Sequence, residues 1–160
     1  MAYHDDLLQQ ALDLVNKNPT NATQADLRRG ISAAYYSLFH LLISETVVQW
    51  GHQGTRNSLS RMFEHRVMAS ASDRISNSKL FPFTGEDPSV VHQLKRVAEA
   101  FGQLRSRRHI ADYDNSRIWT QNQAFEEVAT AVEAFSAWHS IKNEKIAQDY
   151  LVSLLIKPRN

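Results

Sequence analysis

Residues 31–48 read ISAAYYSLFHLLISETVV, the most apolar run of the chain. Its length approaches that of a membrane span, but Ser32, Ser37, His40, Ser44 and Glu45 interrupt it. Those groups would be costly in a hydrocarbon layer, so the run reads as a buried helix of a soluble protein. Leu27, Ile31, Ala34, Tyr35, Leu38, Phe39, Leu41, Leu42 and Val48 cover more than half of its circumference. A helix apolar over so wide an arc is central, or serves both a core and an interface. The rest of its surface carries Arg29, Tyr36, His40 and Val47 in one stripe at spacings of seven, four and seven. Glu45 lies five turns beyond Leu27 and is expected to point into the core, paired with an Arg.

The flanking chain repeats the helical period. Leu7, Leu8, Ala11, Leu12 and Val15 predict a helix over 3–16, ended by NKNPTNAT. Thr23 is the expected N-cap of the central helix, which the pattern carries to Trp50, where GHQGT breaks it. Leu59, Met62, Phe63 and Val67 predict a third helix from about 58 to 68. A loop follows, with Leu80, Phe81 and Phe83 expected to tuck it down. Asp87 before Pro88 is a strong helix start, and that helix runs into the charged stretch LRSRRHIADYDNSRIW, residues 104–119. Thr120 with Gln123 forms a capping box for a helix to about Lys142, and residues 143–160 read as a helical extension. Almost nothing alternates with period two. The expectation is an all-α, antiparallel up-and-down bundle of four to five main helices in one domain, residues 1–160.

Composition narrows the function classes. A chain of 160 residues with 42% hydrophobic and 22% charged residues is globular in kind. Its net charge of +1 excludes a general polyanion binder, so any nucleic-acid contact must come from a local patch. The absence of Cys removes thiolate chemistry and Cys-based zinc sites. No His/Asp/Glu spacing signals a metal site, and no cofactor is expected. The acidic start MAYHDDLLQQ lacks the features of a signal peptide, so a cytoplasmic protein without a membrane segment is expected.

The charges of 104–119 do not sit on the solvated face. Val90, Leu94, Val97, Ala98, Phe101 and Leu104 set the inward stripe, and at 100° per residue Arg105 points within about 20–30° of its centre. Arg108 and His109 flank it. Asp112 returns to the centre if the helix continues, while Arg107 points outward as an ordinary surface residue. A buried guanidinium needs a carboxylate or several carbonyls, and Asp112, Glu45 and Asp26 are the candidates. A solvated helix end, a structural ion-pair network and a polar functional cleft all remain open on these residues alone.

RRGISAAYYSLFHLL (28–42) followed by LRSRRHIADYD (104–114) resembles the HEPN superfamily. The nearest likeness is to small bacterial and archaeal members with an Arg…Ala-Tyr-Tyr…Phe-His helix and an Arg-x-x-Ala-Asp-Tyr signature. Arg29, Ala34-Tyr35-Tyr36 and Phe39-His40 match the first motif; Arg108, Ala111, Asp112 and Tyr113 match the second. The resemblance implies a helical bundle that dimerises around the motif-bearing helix. It further implies either a metal-independent endoribonuclease, in some cases a toxin beside a nucleotidyltransferase antitoxin, or a non-catalytic binding module. On that reading Arg105 and His109 are the catalytic pair, and Arg108 and Arg117 contact nucleic acid. Asp112, Tyr113, Arg29, Tyr36 and His40 support the site. Three residues separate Arg105 from His109, fewer than in the Arg…His motif of the nuclease branch. Arg61 and His65 repeat the short spacing elsewhere.

Overall fold

The computed structural model describes residues 1–77, 83–157 and 159. Among them the chain is all-α. Its helices are α1 (Tyr3–Asn16), α2 (Gln24–Val47), α3 (Arg56–Ser60), α4 (His65–Ser76), α5 (Pro88–Tyr113), α6 (Gln121–Ile141) and α7 (Lys145–Ser153). No described helix is long and apolar enough to cross a membrane. The chain forms two compact units, Met1–Leu41 with Gln103–Phe135 and Leu42–Gly102 with Ser136–Asn160.

In the first unit α1 lies antiparallel on the first part of α2. The Tyr3 ring meets His40 at 4.9 Å, and the other end of α1 meets Gly30. A Cβ on Gly30 would stand 2.5 Å from Val15 Cγ1, so this glycine is what lets the two helices approach so closely. Ala11, Val15, Leu27, Ile31, Ala34, Tyr35 and Leu38 are buried there with Leu104, Ala124, Val128 and Ala131. The expected caps form. Thr23 Oγ1 accepts the Asp26 N–H at 3.1 Å, and Thr120 and Gln123 exchange bonds of 3.0 and 3.2 Å.

The end of α5 is fixed by a residue far away in sequence. The Arg28 guanidinium of α2 donates to the carbonyls of Ala111 and Asp114, both at 2.9 Å, and to that of Arg117. The last turn of a helix leaves carbonyls without partners, and a guanidinium carries enough donors to take several at once. Gln24 completes the seam: its amide accepts from Trp119 N–H at 2.9 Å and donates to Trp119 C=O at 2.7 Å. Trp119 is thereby buried. The charged stretch is thus helical through Tyr113 and then turns under the control of α2.

In the second unit Leu94, Val97, Ala98 and Phe101 of α5 form a core. They share it with Met68, Ala71 and Ile75 of α4, Trp138 and Ile141 of α6, and Ile146, Tyr150 and Leu151 of α7. Asp87 Oδ1 accepts the Ser89 N–H at 2.8 Å as the cap expected before Pro88. Those backbone and hydroxyl bonds from Ser89 hold the Asp87 carboxyl below its ordinary pKa. Tyr150, fully buried, reaches Ser72 at 2.6 Å. The single helix expected over 58–68 is instead two, α3 and α4, with a break before His65. Met62, counted as a core residue of that helix, is 67% exposed. Arg61 and His65 consequently do not share a helix face. The central helix ends at Val47, short of Trp50, and Val48 is exposed. Arg56 caps that end through the carbonyls of Trp50 and Val48, at 3.0 and 3.1 Å. The segment after residue 142 is a separate helix, α7. Leu80 and Phe81 lie outside the described residues; Phe83 is half-buried beside Lys95.

Because three carbonyls depend on one side chain, Arg28→Ala should destabilise the protein by about 2 kcal/mol, as for loss of hydrogen bonds to a charged group. Chemical denaturation of the variant, with hydrogen exchange of amides 110–118, measures the loss and locates it.

Candidate functional site

The cations of α5 separate into three environments. Arg108 lies inward with its side chain 14% exposed, its guanidinium carbon 5.2 Å from the Tyr35 ring centroid and 5.6 Å from that of Tyr36. Such placement satisfies a desolvated cation partly through the ring quadrupoles. Its ion pair is with Asp112 Oδ2, one turn on, at 3.6 Å. The Ser32 hydroxyl approaches the same oxygen at 3.4 Å. Arg105 is half-buried, and among the described residues it has no ion pair. The Nε atoms of both Arg105 and Arg108 are buried without a hydrogen-bond partner among the described residues. Burial pushes the Tyr35 phenol well above its ordinary pKa, while the positive charges of Arg108 and Arg105 pull it back.

Arg107 corrects the reading from periodicity. It is not an idle surface residue: its Nε stands 3.1 Å from Glu127 Oε1 on α6. Glu127 is 7% exposed, and Gln103 Nε2 donates to its other oxygen at 3.1 Å. A carboxylate on the inward stripe of α6, between Ala124 and Ala131, was the available sign that a cation must come to meet it. The other proposed pairings also sort themselves. Asp112 meets the half-buried Arg108 guanidinium but is itself exposed, not at the centre of the inward stripe, whereas Asp26 lies 3.7 Å from Lys17. Glu45 is half-buried with no ion pair among the described residues, so the buried Arg–Glu pair expected of it does not form there.

His109 and Tyr113 face outward. Both are exposed, with ring centroids 5.1 Å apart. His109 follows Arg105 by one turn, about 40° round the helix at 100° per residue. No hydrogen bond or ion pair joins these two among the described residues. Arg117 is elsewhere, stacked on the Trp119 ring at 4.4 Å, with its carbonyl held by Arg28.

The remaining expected residues line a groove of about 540 Å³. Its walls are Tyr3, Leu7, Gln10 and Leu14 of α1 and Arg29, Ala33, Tyr36 and His40 of α2, with Ser32 and Asp112 between them. Both walls follow a four–three–four spacing, so each presents a single helix face. Tyr3 was not singled out in the sequence; nothing in its own surroundings marks a residue that α1 lays against His40. Burial, and then the charge of His4, lower the His40 pKa below its ordinary value. Among the described residues no three His, Asp or Glu side chains are grouped as a metal site requires.

No protein-family model, no curated protein and no solved structure matches the chain.

The lowered His40 pKa has a pH consequence. As pH falls through about 6.5 the unfolded chain takes up a proton at His40 that the folded chain resists, so the fold loses stability. The loss is complete once pH is below the folded value. Thermal melts between about pH 7.5 and 5.5 should show this fall, and His40→Gln should flatten that part of the profile.

Proposed function

We propose that the protein is a HEPN-type, metal-independent RNA endonuclease acting as a homodimer. The observation that carries this reading is the composition of one face of α5. There an exposed imidazole, His109, stands one turn from Arg105, a half-buried guanidinium without an ion-pair partner among the described residues. RNA brings its own nucleophile. The ribose 2′-oxygen attacks the adjacent phosphorus, the P–O5′ bond breaks, and a 2′,3′-cyclic phosphate remains. The 2′-hydroxyl proton passes to a base and the departing 5′-oxygen takes a proton. An imidazole can fill either role. Two His109 side chains across a twofold axis fill both. Arg105 cannot act as a base, but it neutralises charge that builds on the phosphate. Arg108 and Arg117 add positive potential along the strand. A nucleotidyltransferase-type antitoxin partner belongs to this reading through the family resemblance, and the absence of Cys suits the cytoplasmic setting that goes with it.

A specific observation favours a second reading. Arg108 is committed to Asp112 and to two tyrosine rings, and the helix carrying it is tied down by Arg28. The Arg-x-x-Ala-Asp-Tyr signature then serves architecture, and the protein is a non-catalytic HEPN dimerisation or binding module whose partner carries the chemistry.

Purified protein incubated with several RNAs in EDTA separates the two. The nuclease reading expects cleavage to cyclic phosphate ends, and a loss of about 10²–10⁴-fold in His109→Ala, the range for a removed acid–base group. A dimer that cuts none of them removes it, and undiminished cutting by His109→Ala removes His109 from the mechanism. The architectural reading expects Asp112→Ala to lower the Tm; an unchanged melt removes that one.

A further inference from the structure

The groove between α1 and α2 has features that helix packing does not require. Three rings gather along it: Tyr3 meets His40 at 4.9 Å, and Tyr36 meets His40 at 6.4 Å with 31° between planes. Tyr3 is nonetheless 62% exposed. Arg29 is exposed on the same wall with no ion pair among the described residues. The volume, about 540 Å³, falls in the range of small-ligand sites.

Polar groups define what such a groove could hold. Ser32 brings its hydroxyl to Asp112. Along α2, Ser32 is three residues from Arg29 and four from Tyr36, so a cation and a ring each lie about one turn, ~5 Å, to either side of the carboxylate. A cation, an acceptor and ring faces along one wall are the groups that a single strand meets with a phosphate, a base edge and a base face. Sequence-tolerant binding to single strands uses ring stacking and cations of this kind. Selectivity falls to Asp112. Both of its contacts among the described residues use Oδ2, which leaves Oδ1 to accept from a ligand. A carboxylate only accepts, and it is repelled by acceptor atoms. Guanine alone among the RNA bases presents two neighbouring donors, N1–H and N2–H, on its Watson–Crick edge. Adenine and cytosine set a ring acceptor beside their amino group, and uracil flanks its single N–H with carbonyls.

We infer that this groove is a subsite for one guanine of a bound RNA, with the base among Tyr3, Tyr36 and His40, its N–H edge on Asp112 and a phosphate of a neighbouring nucleotide on Arg29. For the RNA to which that guanine belongs, the inference rests on the nuclease reading. Asp112 follows His109 by three residues on α5, so the guanine belongs to a nucleotide close to the cleaved phosphate.

Fluorescence anisotropy tests it, with labelled oligouridines carrying one central G, A or C, on the His109→Ala chain so that the strand stays intact. The G strand should bind at least tenfold more tightly than the others, and GMP should compete where AMP does not. Tyr3→Ala changes an exposed residue near the chain terminus; it should weaken G-strand binding by about tenfold or more, as for a lost stacking platform. Arg29→Ala should weaken all strands while keeping their order. Asp112→Asn, checked by its melt, should erase the order. Equal affinity for all strands overturns the guanine assignment, and G preference unchanged in both Tyr3→Ala and Asp112→Asn places the base elsewhere. RNA cutting by the wild type with no base preference in binding overturns the subsite and leaves the nuclease. G-selective binding by a chain that cuts no RNA keeps the subsite and removes the nuclease.

Discussion

The Arg28 clamp is the constraint on which the candidate site depends. One guanidinium on α2 takes the carbonyls of Ala111, Asp114 and Arg117, so the last turn of α5 and the turn after it share a single anchor. Without it these carbonyls would have to be satisfied by water, and the helix would be free to fray before Asp112. With it, Asp112 is held one turn beyond Arg108 and against Ser32 of α2. The position of every charged group from Arg105 to Tyr113 follows from that fixed end.

With the end of α5 fixed, burial decides what each charge does. Arg108 is drawn inward and is compensated three ways, by Asp112 and by the faces of Tyr35 and Tyr36. Arg107 is consumed by a buried carboxylate on α6. Arg105 keeps a buried Nε with no hydrogen-bond partner among the described residues, which is expensive unless something supplies one. His109 and Tyr113 stay in water. A stretch with four Arg therefore leaves few positive charges uncommitted, consistent with a chain whose net charge is only +1.

The groove depends on a different device. Gly30 lets α1 settle close to α2 at one end, while Tyr3 and His40 meet at the other. The helices touch at both ends, and Leu7, Gln10, Ala33 and Tyr36 line the open stretch between. Close approach through a missing side chain and a ring contact about fifteen ångströms away along α2, at about 1.5 Å per residue, produce a cleft without any loop.

The sequence by itself determined the helices and most of their ends. Apolar period and local caps such as Thr23, Asp87 and Thr120–Gln123 act within a few residues, so they are readable in order along the chain. The inward stripe of α5 was legible for the same reason, and with it the placement of Arg105 and Arg108; Asp112, expected at its centre, is exposed where the helix ends. Where local signals were weak the reading failed: the apolar spacing over 58–68 carried no cap, and the chain breaks there into α3 and α4. Only tertiary structure decided which partner each charge takes. Arg28 reaches carbonyls more than eighty residues away, Arg107 is claimed by Glu127, and Tyr3 becomes part of a groove. Hydrogen bonds and ion pairs act over a few ångströms in space. Which groups lie within that distance is settled when helices pack, and helical period records only the face on which each group begins.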